Sequence, residues 1–264
     1  MKTIYHFSGA GNNFVVIDGR EGDVSAFREV PRIEALCQEY KTDGLMILGS
    51  GDAEVDFTME FYNPDGSGGM MCGNGGRCIV AFADYLGIRP SSGGVFLFMA
   101  PDGLHTGEIL ERPADDLWTV RIKMIDVQGI TPMLGGYFLN TGTRHFVKFV
   151  DDVEQVDVAV EGKALRWNEA FAPIGTNVNF VQVAPDGLHV RTFEKGVEGE
   201  TLACGTGLTA CALVAHHAGV PTATPGAYRL RARQDWLSVN FTPGADEKFT
   251  DVYLTGPARL VEIR

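Results

Sequence analysis

Positive charge is the first thing this chain lacks. It carries 22 Lys and Arg against 34 Asp and Glu, for a formal net charge of −12, and no basic cluster offsets the deficit. Nucleic-acid binding, which rests on phosphate neutralisation, is therefore not expected. An acidic small molecule would need local donors rather than a global field. There is no run of about 18 apolar residues, so no membrane span is expected. Residues 1–7, MKTIYHF, show no apolar signal region. Cysteine is sparse and odd in number, five in 264 residues. This points to reduced thiols and a cytoplasmic location rather than a disulfide framework. Close metal-ligand spacing is also missing: Cys72 and Cys78 are six apart, and Cys204 and Cys211 seven. No metal site is assigned. Each of these separations is about two helical turns, so Cys78 and Cys211 are expected on buried helix faces, and Cys37 in the core.

What is present is an ordinary globular composition, 45% hydrophobic with mean hydropathy near zero. The length suits one large domain or two of about 130 residues. The sequence is organised around Met70-Met71-Cys72-Gly73-Asn74-Gly75-Gly76-Arg77-Cys78, which runs directly into a helical apolar pattern at Ile79, Val80, Phe82, Ala83 and Leu86. A thiol at the mouth of a helix lies among N–H groups with no helical partner. Such a position lowers a cysteine pKa from about 8.5 to roughly 3.5–7.5 and also attracts a carboxylate.

The pattern then repeats. Cys204-Gly205-Thr206-Gly207 precedes Leu208, Cys211, Leu213 and Val214. In each copy a glycine, Gly87 or Gly219, follows the cysteine at the same interval as a helix stop. Half the chain separates the two copies. Gly11 precedes Cys72 by nearly the same interval as Gly142 precedes Cys204. These matched intervals indicate an internal duplication with one reactive thiol per half.

Short strands are expected at 3–7, 14–18, 45–48, 55–62, 95–99, 107–110 and 117–124, with a helix over 30–40 that carries Pro31 in its first turn. The Gly9-Ala10-Gly11 stretch fits a dinucleotide fingerprint poorly, because strand follows instead of helix. Asn12 either offers its amide to a ligand or caps an Asx-type turn. Asn63-Pro64-Asp65-Gly66-Ser67 is a turn that delivers the chain to Cys72. In the second half, residues 138–147 repeat the opening strand–loop–strand, 176–181 and 189–193 read as strands, and the tail reads as two strands, 252–254 and 258–263. Strands outnumber helices, so the expected fold class is α+β. It comprises two pseudo-symmetric halves, each a curved, mostly antiparallel sheet around a central helix, with the active site in the cleft between them. The expected domains are 1–125 and 126–255, with the C-terminal strand 256–264 returning to the first.

Two related thiols suit four tasks: a disulfide, a metal site, covalent catalysis, or two-base proton transfer. Inverting a carbon stereocentre needs one group to remove a proton from one face and another to deliver one to the opposite face. A duplicated fold supplies one group per half. The N–H groups of Gly73, Asn74, Gly205 and Thr206 could hold an α-carboxylate and its developing charge. No pyridoxal-type lysine signature is evident, and composition demands no cofactor. From the residues alone, His145 is a core or tautomer-locked histidine.

The chain resembles the diaminopimelate epimerase family over almost its full length. The likeness is carried by Gly11-Asn12-Asn13-Phe14-Val15-Val16-Ile17-Asp18, Asn63-Pro64-Asp65-Gly66-Ser67, Met71-Cys72-Gly73-Asn74-Gly75-Gly76-Arg77-Cys78, Thr176-Asn177-Val178-Asn179-Phe180 and Gly199-Glu200-Thr201-Leu202-Ala203-Cys204-Gly205-Thr206-Gly207. Asn74 stands where the related proline racemases carry histidine. The resemblance implies a cofactor-independent epimerase interconverting LL- and meso-diaminopimelate, with Cys72 and Cys204 as acid/base residues assisted by His145 and Glu194. It implies substrate contacts from Asn12, Asn63, Gly73, Asn74, Thr143, Asn177, Glu194, Lys195, Gly205 and Thr206. The implied partner is a small-molecule amino acid, with neither nucleic acid nor membrane; a homodimer is left open. Ser8, Asn13, Gly44, Thr143 and Lys195 depart from the commonest pattern. Lysine at 195 does not reproduce an arginine's bidentate grip on a carboxylate, and Arg144 is a candidate to compensate. The competing readings are a pyridoxal-independent racemase of another amino acid, and a thiol redox or small-ligand binding module.

Overall fold

The computed structural model describes residues 2–69 and 71–264; Met70, at the head of the first cysteine–glycine stretch, lies outside them. The chain forms two units: the part through Ile122 together with Gly256–Arg264, and Lys123–Thr255. The class is α+β, with many strands and a long buried helix in each half.

In the first unit, β1 (Ile4–Gly9) and β2 (Asn12–Asp18) form a hairpin in which Gly9 pairs with Asn12. Ala10 and Gly11 both adopt positive φ, at 53° and 91°, as a two-residue turn of matching twist requires. Helix α1 (Val30–Tyr40) leads to β3 (Gly44–Ser50), which lies parallel to β2. β4 (Phe57–Tyr62), α2 (Gly73–Tyr85), β5 (Val95–Ala100), β6 (Gly103–Ala114) and β7 (Leu117–Lys123) follow. Strands β2 and β3 are near-continuous apolar runs because both of their faces are covered. Val15, Ile17, Leu45 and Ile47 pack with Ile33, Leu36 and Cys37 of α1, while α2 packs on β1, β2, β3 and β6. Helix α2 is buried from Gly73 to Ala83, which accounts for its lack of a polar stripe.

The second unit opens with β8 (Val127–Gln128), β9 (Thr131–Met133), β10 (Gly136–Asn140) and β11 (Arg144–Phe149). A π-helical turn, Val158–Gly162, runs into the short α3 (Lys163–Arg166). β12 (Asn177–Ala184) then lies parallel to β11, followed by β13 (Gly187–Glu194), β14 (Gly199–Thr201), α4 (Gly205–His217), β15 (Ala227–Arg231), β16 (Trp236–Pro243) and β17 (Lys248–Ile263). One face of β11–β13 supplies Phe146, Val178, Phe180 and Phe193 to an aromatic-rich cluster with Phe171. Helix α4 packs on β10–β13, β15 and β16.

The internal duplication is visible in the pairings. An antiparallel hairpin precedes a parallel step in each half, β1–β2‖β3 and β10–β11‖β12; a second parallel step follows, β4‖β5 and β13‖β15. The two buried helices also end alike. Gly87 and Gly219 adopt φ of +75° and +74°. Each donates its N–H back to Asp84 or His216, and the next residue bonds to Ala83 or Ala215, which is the glycine stop the spacing predicted.

The tail departs from expectation. It is one continuous strand, β17, rather than two. The Gly256-Pro257 pair reads as a break, yet here it is where the strand changes neighbours. Thr255 pairs with Ser238 of β16, whereas Gly256 and Pro257 pair with Val120 and Thr119 of β7. β14, β15, β16 and the π-helical turn had no sequence assignment.

Candidate functional site

In the first unit, Cys72 occupies the N-cap of α2, in extended conformation, and its Sγ accepts from the Gly75 N–H at 3.2 Å. The first intrahelical bond is from the Gly76 N–H to the Cys72 carbonyl, at 2.7 Å. The Gly73 N–H therefore lies in the first turn, at the positive end of the helix dipole. Glycine is needed around this end for close approach. A Cβ on Gly9 would lie 2.7 Å from the Asn74 carbonyl oxygen and 2.9 Å from Cys78 Sγ, and one on Gly76 would lie 2.8 Å from Met71 Sδ. Bare backbone lets the β1–β2 hairpin lie against the helix mouth. There Asn12 accepts through Oδ1 from Asn74 Nδ2. Its amide is thus committed to a tertiary contact and does not cap a turn.

The fully buried Arg77 explains how these amides are oriented, and sequence reasoning gave it no role. Its guanidinium donates to Asn74 Oδ1 (2.9 Å), the Gly73 carbonyl (3.2 Å) and the Pro257 carbonyl (3.3 Å). A guanidinium can only donate, so Asn74 must present its oxygen to Arg77 and its NH2 to Asn12. Asn12 is then left with its own NH2 as a donor. The available signal was a charged residue inside an otherwise apolar helical stretch. Asn63 heads the Asn63–Ser67 turn, where its Nδ2 donates to Ser67 Oγ at 3.0 Å.

The second unit places Cys204 at the N-cap of α4, where Leu208 N–H makes the first helical bond, to the Cys204 carbonyl, at 2.9 Å. Gly205 and Thr206 form the first turn. Cys204 Sγ lies 3.4 Å from Thr206 Oγ1, which in turn lies 3.0 Å from His145 Nε2. His145 is fully buried on β11, and burial alone pushes its pKa down to about 3, so it is neutral. Thr143, Asn177, Glu194 and Lys195 gather at the neighbouring strand ends. Asn177 donates to the Arg144 carbonyl (2.9 Å) and Thr143 Oγ1 (3.4 Å) and accepts from the Lys195 N–H (2.8 Å). Thr201 Oγ1 donates to Glu194 Oε2 at 2.9 Å. Asn177 thus ties three of the expected contact residues to one another.

Cys78 and Cys211 are fully buried in α2 and α4, and desolvation raises the pKa of both thiols. Cys37 is buried against β2 and β3. Arg144 does not stand in for an arginine at 195. Strand alternation turns it to the face opposite His145, where it stacks over the Phe138 ring at 5.1 Å and donates to the Phe171 carbonyl at 3.1 Å. At position 44 no side chain fits without movement, because a Cβ would lie 2.7 Å from the Tyr62 carbonyl oxygen and 3.1 Å from the Phe61 ring.

Neutral burial of His145 has a stability consequence. Its folded pKa lies below its ordinary value of 6.5, so the unfolded chain gains a proton first as pH falls. His145 therefore contributes full stability above about pH 6.5 and loses it progressively toward pH 3, at up to about 1.4 kcal/mol per pH unit. Burial shifts His6 in the same direction. Urea titrations between pH 7.5 and 5 should show this slope, and His145→Gln should flatten it. An unchanged slope in the variant would count against the assignment.

A sequence model of the family described as Diaminopimelate epimerase matches residues 4–92 and 137–261. Diaminopimelate epimerase from Chlorobaculum tepidum is 39% identical over 263 residues, covering 96% of this chain and 97% of its own. The protein of the same name from Aquifex aeolicus is 39% identical over 273 residues, covering 96% and 93%. Among solved structures, a phenazine biosynthesis protein of the PhzF family from Bacillus anthracis superposes with a TM-score of 0.77 at 10% identity, covering 100% of this chain and 98% of its own. A hydroxyproline epimerase from Agrobacterium vitis, with bound trans-4-hydroxy-L-proline, gives 0.66 at 15% identity, covering 100% and 91%. At those identities the structural likeness speaks for the fold alone. Among the described residues no helix is long and apolar enough to cross a membrane.

Proposed function

The chain belongs to the diaminopimelate epimerase family, and from that premise we propose that it interconverts LL- and meso-diaminopimelate by proton transfer at the α-carbon, using Cys72 and Cys204. One sulfur, as thiolate, takes the α-proton and becomes a thiol. The other, as thiol, gives its proton to the opposite face of the carbanion and becomes a thiolate. No net proton is gained or lost, and the roles exchange with reaction direction. The α-hydrogen is only weakly acidic, so the carbanion needs stabilisation where charge develops, on the α-carboxylate. First-turn N–H groups of α2 and α4, at Gly73, Asn74, Gly205 and Thr206, are suited to it. The reading requires no cofactor and a cytoplasmic, reducing setting.

The observation that carries this reading is the repeated one: each half has a cysteine at the N-cap of a buried helix, followed by a glycine-rich first turn. Asn12, Asn63, Asn74, Thr143, Asn177, Glu194 and Lys195 are the proposed further contacts. Lysine at 195 would meet a carboxylate as a point charge rather than a fork.

The test is NMR of LL-diaminopimelate incubated with reduced protein in D2O without pyridoxal phosphate. Loss of the α-proton signal together with meso product is expected. Absence of both would overturn the substrate assignment, and a panel of other amino acids would then separate a different racemase from a non-catalytic thiol protein.

A further inference from the structure

Asn179 lies outside the residues assigned above, yet it is fully buried beneath the first turn of α4. It shares a strand face with Asn177, two positions earlier on β12. Its amide has one consistent orientation. Nδ2 lies 3.1 Å from the Phe146 carbonyl oxygen; that oxygen can only accept, so the nitrogen must be there. Thr192 Oγ1 donates to the opposite end, Oδ1, at 2.9 Å. The second proton of Nδ2 then points to His145 Nδ1, also at 3.1 Å.

A ring nitrogen receiving a hydrogen bond carries no proton of its own. The neutral imidazole must therefore hold its proton on Nε2, which faces Thr206 Oγ1. With Oγ1 accepting from His145, the hydroxyl proton is free to turn to Cys204 Sγ. The packing supports the same unit. A Cβ on Gly207 would collide with Asn179 Oδ1 and lie 3.3 Å from His145 Cε1, so the second glycine of Cys204-Gly205-Thr206-Gly207 is where the helix rests on this pair.

We propose that Asn179 is a positioning residue that locks His145 in the Nε2–H tautomer and, through it, directs the Thr206 hydroxyl proton onto Cys204 Sγ. His145 then acts as a fixed neutral donor and is not the base that takes the Cys204 thiol proton. The proposal deepens the epimerase reading, in which Cys204 is one of the proton carriers, and rests on it. Burial is the one cause of the His145 pKa shift, with no charged side chain contributing. Cys204 also acts electrostatically on the buried thiol of Cys211 in the same helix.

The test is made on substrate-free protein labelled in histidine nitrogen and cysteine Cβ. Long-range proton–nitrogen correlation spectra, assigned with His145→Gln, should show the His145 proton on Nε2 and a neutral ring down to pH 5. A proton on Nδ1, or an imidazolium at pH 6.5, would overturn the proposal without any variant having to fold. Asn179→Leu and Thr206→Val should each raise the Cys204 titration midpoint, followed by its Cβ shift, by about one to two pH units, the worth of a hydrogen bond to a charged group. Thr206→Ser should restore it. A midpoint unmoved in the folded variants would also overturn the proposal. None of these measurements uses diaminopimelate, so a failed exchange experiment and a failed tautomer assignment are distinguishable.

Discussion

Cys72→Ser and Cys204→Ser are each expected to lower kcat for epimerisation by about a thousandfold or more. Positioned acid/base groups contribute on the order of 10²–10⁴ in rate, and a serine hydroxyl at the same place does not ionise near neutral pH. Each variant still has a donor for one direction of hydrogen bonding, so substrate affinity should change far less than turnover. Cys78→Ser and Cys211→Ser give the contrast. Both positions are fully buried, and a hydroxyl placed there without a partner costs about 1–3 kcal/mol. These two should lower the urea midpoint while leaving kcat in the folded protein close to its starting value. Steady-state epimerisation and denaturation of all four proteins would check the assignment. Near-normal turnover by either N-cap variant would sink the two-base reading.

The second large effect is expected at Arg77. Arg77→Met keeps much of the buried volume but removes the donors to Asn74 Oδ1 and the Gly73 and Pro257 carbonyls. Leaving a buried acceptor unsatisfied costs about 1–3 kcal/mol, so a loss on the order of 3 kcal/mol is expected. The loss should not be confined to stability. Without the guanidinium, Asn74 is no longer obliged to present its NH2 to Asn12, and the Asn12 amide can turn its oxygen outward. KM for an anionic substrate should then rise more than kcat falls. Arg77→Lys should be intermediate, since an ammonium keeps the charge but not the fork. A denaturation midpoint within error of the parent protein would show that the contacts contribute nothing net.

Much of the fold was legible because its signals are local. Gly87 and Gly219, at one fixed interval after Cys72 and Cys204, mark where each helix stops. The apolar runs of β2 and β3 record burial on both faces. The short β14 and β15 carry charge on their exposed positions, Glu200, Arg229 and Arg231, and offer few apolar residues as a local signal; β16 is uncharged, and its apolar residues alternate with Ser238, Asn240 and Thr242. The tail is the opposite case. Gly256-Pro257 is a strong local break signal, and the exchange of one neighbouring strand for another overrides it.

For the candidate site, local sequence already names the available atoms: two cysteines, each heading a glycine-rich helix start, with the amides and carboxylate that the family motifs carry. Spacing is enough for this, because an N-cap and its first turn are built from consecutive residues. The tertiary structure alone decided how those groups are turned. Arg77 reaches back to Asn74 within its helix, but the link onward to Asn12 spans 62 residues, and His145 is oriented by an asparagine 34 residues away and contacts a threonine 61 away. A side-chain amide or an imidazole has two orientations of nearly equal shape. Only the donor or acceptor placed opposite by the folded chain selects between them, and no pattern along the sequence encodes that choice.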